Sequence, residues 1–294
     1  MCVRDVRLVV FVLSIFYAAP SVFAGLTITL NFDPSGVPTS DFRGGSDWQG
    51  VVRAAADYWE DVFVNSTTTV NSTQTLDVTW ASLADPVVGQ GATSWFNSPV
   101  DGLFTGGRLT LDNDSTTWFV DPTPFESSEW GRADTTWRYL GNSFAINTGR
   151  IFTLPIQSTG AQHTDLLTIA LHEIGHALGV LTSYPYFANA RDVDGDPNDF
   201  DVTSGYYEDA EIPISGAHIT LLNSSLMDSS VRIGERRLIS EVDAILVGTV
   251  QQADAINAYP LSAVPEPSAF LFLTLAASSS LLLPKAKRLC AWRW

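Results

Sequence analysis

The 294-residue chain has two cysteines, Cys2 and Cys290, and both fall in its terminal segments. No disulfide can staple the part between them, and no thiolate is there to hold a metal site latent. Both lysines, Lys285 and Lys287, lie near the end of the chain. Basic residues are scarce altogether. Of 16 basic and 32 acidic residues, six basic and two acidic lie outside 25–263, which leaves 10 and 30, a net charge of −20. Such a surface repels nucleic acid and anionic membrane, and it attracts divalent cations. There is no internal repeat. Neither terminal apolar run reaches the ~20 residues of a permanent membrane span.

Each run has its own reading. Residues 1–24 carry Arg4 and Arg7, then an apolar run from Leu8 to Tyr17, then small Ala24. That is the build of a secretory signal peptide. The other end reads VPEPSAFLFLTLAASSSLLLPKAKRLCAWRW. Between Pro267 and Pro284 lie 16 residues, ~24 Å as a helix at 1.5 Å per residue. That suits a transient anchor, and Lys285, Lys287 and Arg288 favour the cytoplasmic side. This tail, residues 261–294, resembles the PEP-CTERM sorting signal of exopolysaccharide-producing Gram-negative bacteria. The resemblance implies an exosortase partner, export, and a cell-surface or extracellular mature domain at 25–260. That domain would touch membrane only through its terminal segments.

Within the domain the informative stretch is 166–181, LLTIALHEIGHALGVL. Leu167, Leu171, Ile174 and Leu178 recur at helical spacing. Thr164 and Asp165 stand where a helix is capped, and Gly179 where one stops. His172 and His176 are four apart, so a helix places both imidazoles on one face, with Glu173 beside them. This is the H-E-x-x-H pattern, in which two imidazoles hold Zn²⁺ and the glutamate is the general base. The bound metal lowers the pKa of its water to ~7. Two of only four histidines fall in this pattern, inside an otherwise apolar segment, where bare polar groups are costly.

Other patterns are local. Residues 26–32 alternate as a strand, 48–63 form an amphipathic helix, and 76–81 form a second strand, so a sheet with a crossover helix is expected. Short strands are expected at 108–112, 116–120 and 153–156. Trp118, Trp130 and Trp137 are read as core or loop anchors in preference to a sugar-binding surface. The run Asp192, Asp194, Asp196, Asp199 and Asp201 either wraps a calcium ion or is a solvated acidic loop. It departs from an EF-hand in its glycine position and in Thr203.

A catalytic zinc needs a third ligand. The residue six after His176 is Thr182, a poor donor. His163, just before the helix, should point away, which leaves His218, 42 residues after His176 and nine before Met227. Carboxylates Asp192, Glu208 and Glu211 are the rivals. The set His172, Glu173, His176, Gly179, His218 and Met227 resembles the metzincin proteases, in which a methionine turn lies under the zinc; the late histidine resembles their leishmanolysin-like branch. Residues 239–247, ISEVDAILV, resemble the C-terminal helix of the matrixin-like branch. The resemblance implies an α+β zincin-like fold: a twisted mixed sheet with a crossover helix and an active-site helix, then a smaller C-terminal subdomain with the methionine turn and a terminal helix. It implies a secreted zinc endopeptidase acting on protein or peptide. No tyrosine follows Met227 closely, so an oxyanion-assisting tyrosine is not expected. The alternative is a non-catalytic surface or matrix protein, polysaccharide-associated, with a structural or vestigial metal helix.

Overall fold

The computed structural model describes residues 25–258, apart from 39–41, 67–72, 95–105, 128–129, 142–143, 154–158, 192 and 221. The expected signal segment 1–24, the sorting tail 261–294 and Asp192 lie outside these residues. Among the described residues no helix is long and apolar enough to cross a membrane.

The architecture is α+β. Strand β1 (Thr27–Phe32) is followed by the short β2 (Phe42–Gly44), helix α1 (Trp48–Val62) and β3 (Thr73–Ala81). β1 and β3 pair in parallel, so α1 is the crossover helix expected from the sequence. Asp47 caps α1, its carboxylate accepting the Gly50 N–H at 2.9 Å. One face of α1, with Val51, Val52, Ala55, Tyr58, Trp59 and Val62, is buried.

Next come β4 (Gly89–Ser94), β5 (Gly106–Asp112) and β6 (Trp118–Val120). The main sheet has the order β1-β3-β5-β4, with β4 antiparallel at one edge. A hairpin follows, β7 (Arg132–Tyr139) and β8 (Ala145–Thr153). Of the short strand expected at 153–156, Thr153 is the last residue of β8, and 154–156 lie outside the described residues. Then come β9 (Thr164–Asp165) and α2 (Leu166–Ala177), the helix of the histidine pair. Asp165 caps it, with Thr168 N–H at 3.1 Å. It ends at Ala177, two residues before Gly179, the stop expected from the sequence. Gly179 takes φ +110°, which L side chains avoid, and its N–H bonds His176 O at 2.9 Å.

The C-terminal part holds α3 (Pro185–Ala190), β10 (Asp199–Val202), β11 (Ala210–Ser215), β12 (His218–Ile219), β13 (Glu235–Leu238) and α4 (Glu241–Val250). Three small sheets, β2-β6-β9, β13-β8-β7 and β10-β11-β12, complete the fold. One apolar cluster runs from Leu26 to Val250 and includes Phe200, Ile212, Met227 and Leu246. The late segments cover the face of α2 that the main sheet leaves open, so the two halves share one interior.

Candidate metal centre

Helix α2 is buried along its whole length. Trp59 of α1 donates its indole N–H to Leu171 O at 2.8 Å, which fixes α2 against α1. Arg236 of β13 holds the other end. Its guanidinium donates to the Asp165 carboxylate at 2.8 and 2.9 Å and pairs with Asp121 at 2.6 Å. Arg236, Asp121 and Asp165 are all buried.

The helix presents His172 and His176 on one face, and β12 brings His218 to them. His176 Nε2 lies 3.0 Å from His172 Nε2 and 3.2 Å from His218 Nε2. His172 Nδ1 faces Leu226 O at 2.8 Å, and His176 Nδ1 faces Val180 O at 2.7 Å. A carbonyl can only accept, so each of these Nδ1 atoms carries the proton. In the neutral rings both Nε2 atoms are then bare lone pairs aimed at one point. Burial, above all, pushes His172 down to about 4 and His176 to about 3, and it lowers His218 as well. The neutral form, which binds metal, therefore prevails at neutral pH. Lone pairs ~3 Å apart repel unless a cation lies between them. Ligands ~2.0–2.1 Å from a tetrahedral metal ion stand ~3.3 Å apart, so these three imidazoles have the spacing to hold one.

Glu173 sits beside the cluster, its Oε2 accepting the Gly91 N–H at 2.5 Å. Burial raises its carboxyl above the usual range, against the pull of His176 and the Gly91 N–H. Gly91 lies on edge strand β4, which has no apolar alternation and gives no sequence signal beyond Gly-Gln-Gly. That spacing has a physical reason. A Cβ on Gly91 would stand 2.1 Å from Glu173 O, and one on Gly89 would stand 2.6 Å from Ile169 Cγ2. Only glycine lets this strand lie on α2.

Met227 packs beneath the helix. A Cβ on Gly175 would meet its Sδ at 2.6 Å. The turn is held by buried Asp243 of α4, which accepts Leu226 N–H at 3.0 Å and Met227 N–H at 2.9 Å. It also caps α4 through Ser240 N–H at 2.9 Å. Asp243 and Gly175 were not singled out from the sequence. Asp243 stood in the stretch expected to be a helix, but its partner turn is 16 residues away.

The three histidines and Glu173 line a cleft of about 780 Å³, with Gly89–Gly91 of β4, Asp228–Val231 and Ile233 among its walls. The rival ligands Glu208 and Glu211 are absent from its lining. Glu211 pairs with Asp201 across β10 and β11 and packs on Gly141. His163 is likewise outside the lining. Trp118 and Trp130 are buried, whereas Trp137 is 51 % exposed.

In the acidic loop, carboxylate oxygens of Asp194, Asp199 and Asp201 lie within 4.8 Å of one another. Asp196 turns instead to Asn198, accepting its backbone and side-chain N–H groups at 3.0 and 2.8 Å. Asp199 is pushed up to about 6, first by burial and then by Asp201, Asp194, Asp196 and Glu211. A carboxyl raised in the folded state leaves the fold at full stability below the unfolded pKa of ~3.9, and the cost grows as pH rises through about 6. In chelated buffer, Asp199→Asn is therefore expected to raise Tm by a few degrees near pH ~7.5 and to leave it nearly unchanged near pH ~4. Thermal melts at the two pH values check this; a rise of equal size at both would contradict the charge argument.

Comparisons of the chain with protein-family models, with curated proteins and with solved structures found no match.

Proposed function

We propose that this chain is an exported, metal-dependent endopeptidase of metzincin type, with zinc held by His172, His176 and His218. One observation carries the reading: three imidazole nitrogens converge beside a buried glutamate, in a cleft walled by a sheet edge. The mixed sheet, the crossover helix and the methionine beneath α2 support it. Passage through the membrane and release of the tail by an exosortase belong to the same proposal.

The metal, when bound, would act as a Lewis acid toward a peptide carbonyl and would acidify water. The rest of the chemistry falls to the chain. Glu173 takes a proton from the attacking water and returns it to the leaving amine. Gly91 N–H fixes that carboxylate. Strand β4, at the sheet edge along the cleft, offers backbone groups for pairing with an extended peptide. Leu226 O and Val180 O hold two imidazoles in the ligating tautomer.

The test is metal analysis of the purified protein together with hydrolysis of casein. Stoichiometric zinc is expected, with cleavage that chelation abolishes and zinc restores. His218→Ala should weaken metal binding by more than the ~10–100-fold typical of changes around, rather than at, a ligand. Stoichiometric metal without any cleavage would instead favour the non-catalytic surface protein. Absence of metal would remove the centre altogether.

A further inference from the structure

Asp228 follows Met227 directly and is only 5 % exposed, yet it lines the cleft. Its Oδ1 accepts the Ser230 N–H at 2.9 Å and the Ser230 hydroxyl at 2.8 Å. Among the described residues no donor bonds Oδ2, and that oxygen is not sealed off from solvent. The carboxylate is within electrostatic reach of His218 and His172. A second carboxylate, Asp85, lines the same cleft, and among the described residues no lysine or arginine does. Val231 and Ile233 continue the wall beyond Asp228, and Ile233 is 66 % exposed. A buried carboxylate with one unbonded oxygen calls for a cationic donor, and the apolar rim suits the methylene stem that lysine and arginine carry.

We propose that Asp228 is a specificity-determining residue: it selects a lysine or arginine side chain next to the scissile bond. Oδ2 takes the ammonium or guanidinium, and Val231 and Ile233 take the stem. The inference rests on the peptidase reading above. The net charge of −20 over residues 25–263 draws the same class of substrate by long-range attraction.

The experiment uses a peptide set in which each position flanking the cut is varied among lysine, norleucine and glutamate. The wild-type protein should prefer lysine over norleucine at one position by about 10–100-fold in kcat/KM, the range of a charge-assisted hydrogen bond. Asp228→Asn keeps an acceptor for Ser230, so the turn should persist. On zinc-loaded protein it should bring the lysine peptide down to the norleucine level, so that the lysine-to-norleucine ratio of kcat/KM falls to about one. Asp228→Lys should shift the preference toward glutamate. Equal loss on every peptide together with falling zinc content would overturn the proposal, because Asp228 would then act through the metal centre. Cleavage without charge preference would overturn it and leave the peptidase reading intact. No cleavage of any peptide by the zinc-loaded wild type would overturn both.

Discussion

On the proposed peptidase reading, Glu173→Gln lowers kcat by about 10²–10⁴-fold and leaves metal content and fold unchanged. The substitution is nearly isosteric, and the amide oxygen can still accept the Gly91 N–H that the carboxylate accepts at 2.5 Å. What it cannot do is take a proton. At ~1.36 kcal/mol for each tenfold, the loss is about 3–5 kcal/mol of transition-state stabilisation. The three histidines are untouched, so zinc content should match the wild type. Burial raises the Glu173 carboxyl, so a neutral side chain suits this position in the metal-free protein. The chelated variant should therefore melt no lower than the chelated wild type, with activity and stability pulling in opposite directions at this residue. Steady-state kinetics, metal analysis and melting curves on one preparation check all three statements. Turnover within a factor of two or so of wild type would reject the general-base role.

Arg236→Met should cost about 3–5 kcal/mol of global stability. The guanidinium pairs with Asp121 and Asp165, and all three side chains are buried. Removing it strands two carboxylates out of water, a larger penalty than the net worth of the pairs. It also strips the cap of α2 of its partner, because the same Asp165 Oδ2 accepts Arg236 Nε and Thr168 N–H. The ring of Trp130 lies 4.5 Å beneath the guanidinium, so a packing contact goes too. Arg236→Lys should rescue little, since a single ammonium cannot reproduce a two-pronged contact to one aspartate and a third contact to another. Urea denaturation gives the number. Asp121→Asn combined with Arg236→Met should cost less than the two changes summed, because one of the stranded charges is gone. A loss below about 1 kcal/mol for Arg236→Met would mean that the network is hydrated on opening and not a buried clamp.

These two residues differ in how readily they are found. Glu173 stands inside a contiguous pattern, flanked by its two histidines and an apolar helical repeat. Arg236 and Arg237 sit in a charged stretch that looks like surface, yet both are buried. Nothing local distinguishes an arginine that meets solvent from one that meets Asp165, 71 residues earlier.

The sequence alone determined whatever depends on neighbours along the chain. Periodicity defined α1 and α2, the Asp165 cap and Gly179 marked the ends of the second, and spacing put His172 and His176 on one face. The absence of cysteine from the interior and the excess of acid were equally plain. Tertiary structure decided what depends on partners far apart: that His218 and not Glu208 or Glu211 joins the pair, that Gly91 reaches Glu173 across 82 residues, and that Gly175 leaves room for Met227. It also decided that Asp194, Asp199 and Asp201 gather while Asp196 turns away. The reason is physical. A helix is written in side-chain periodicity that any short window contains, whereas a site is made by close approach of segments whose only local trace is a small residue or an out-of-place charge.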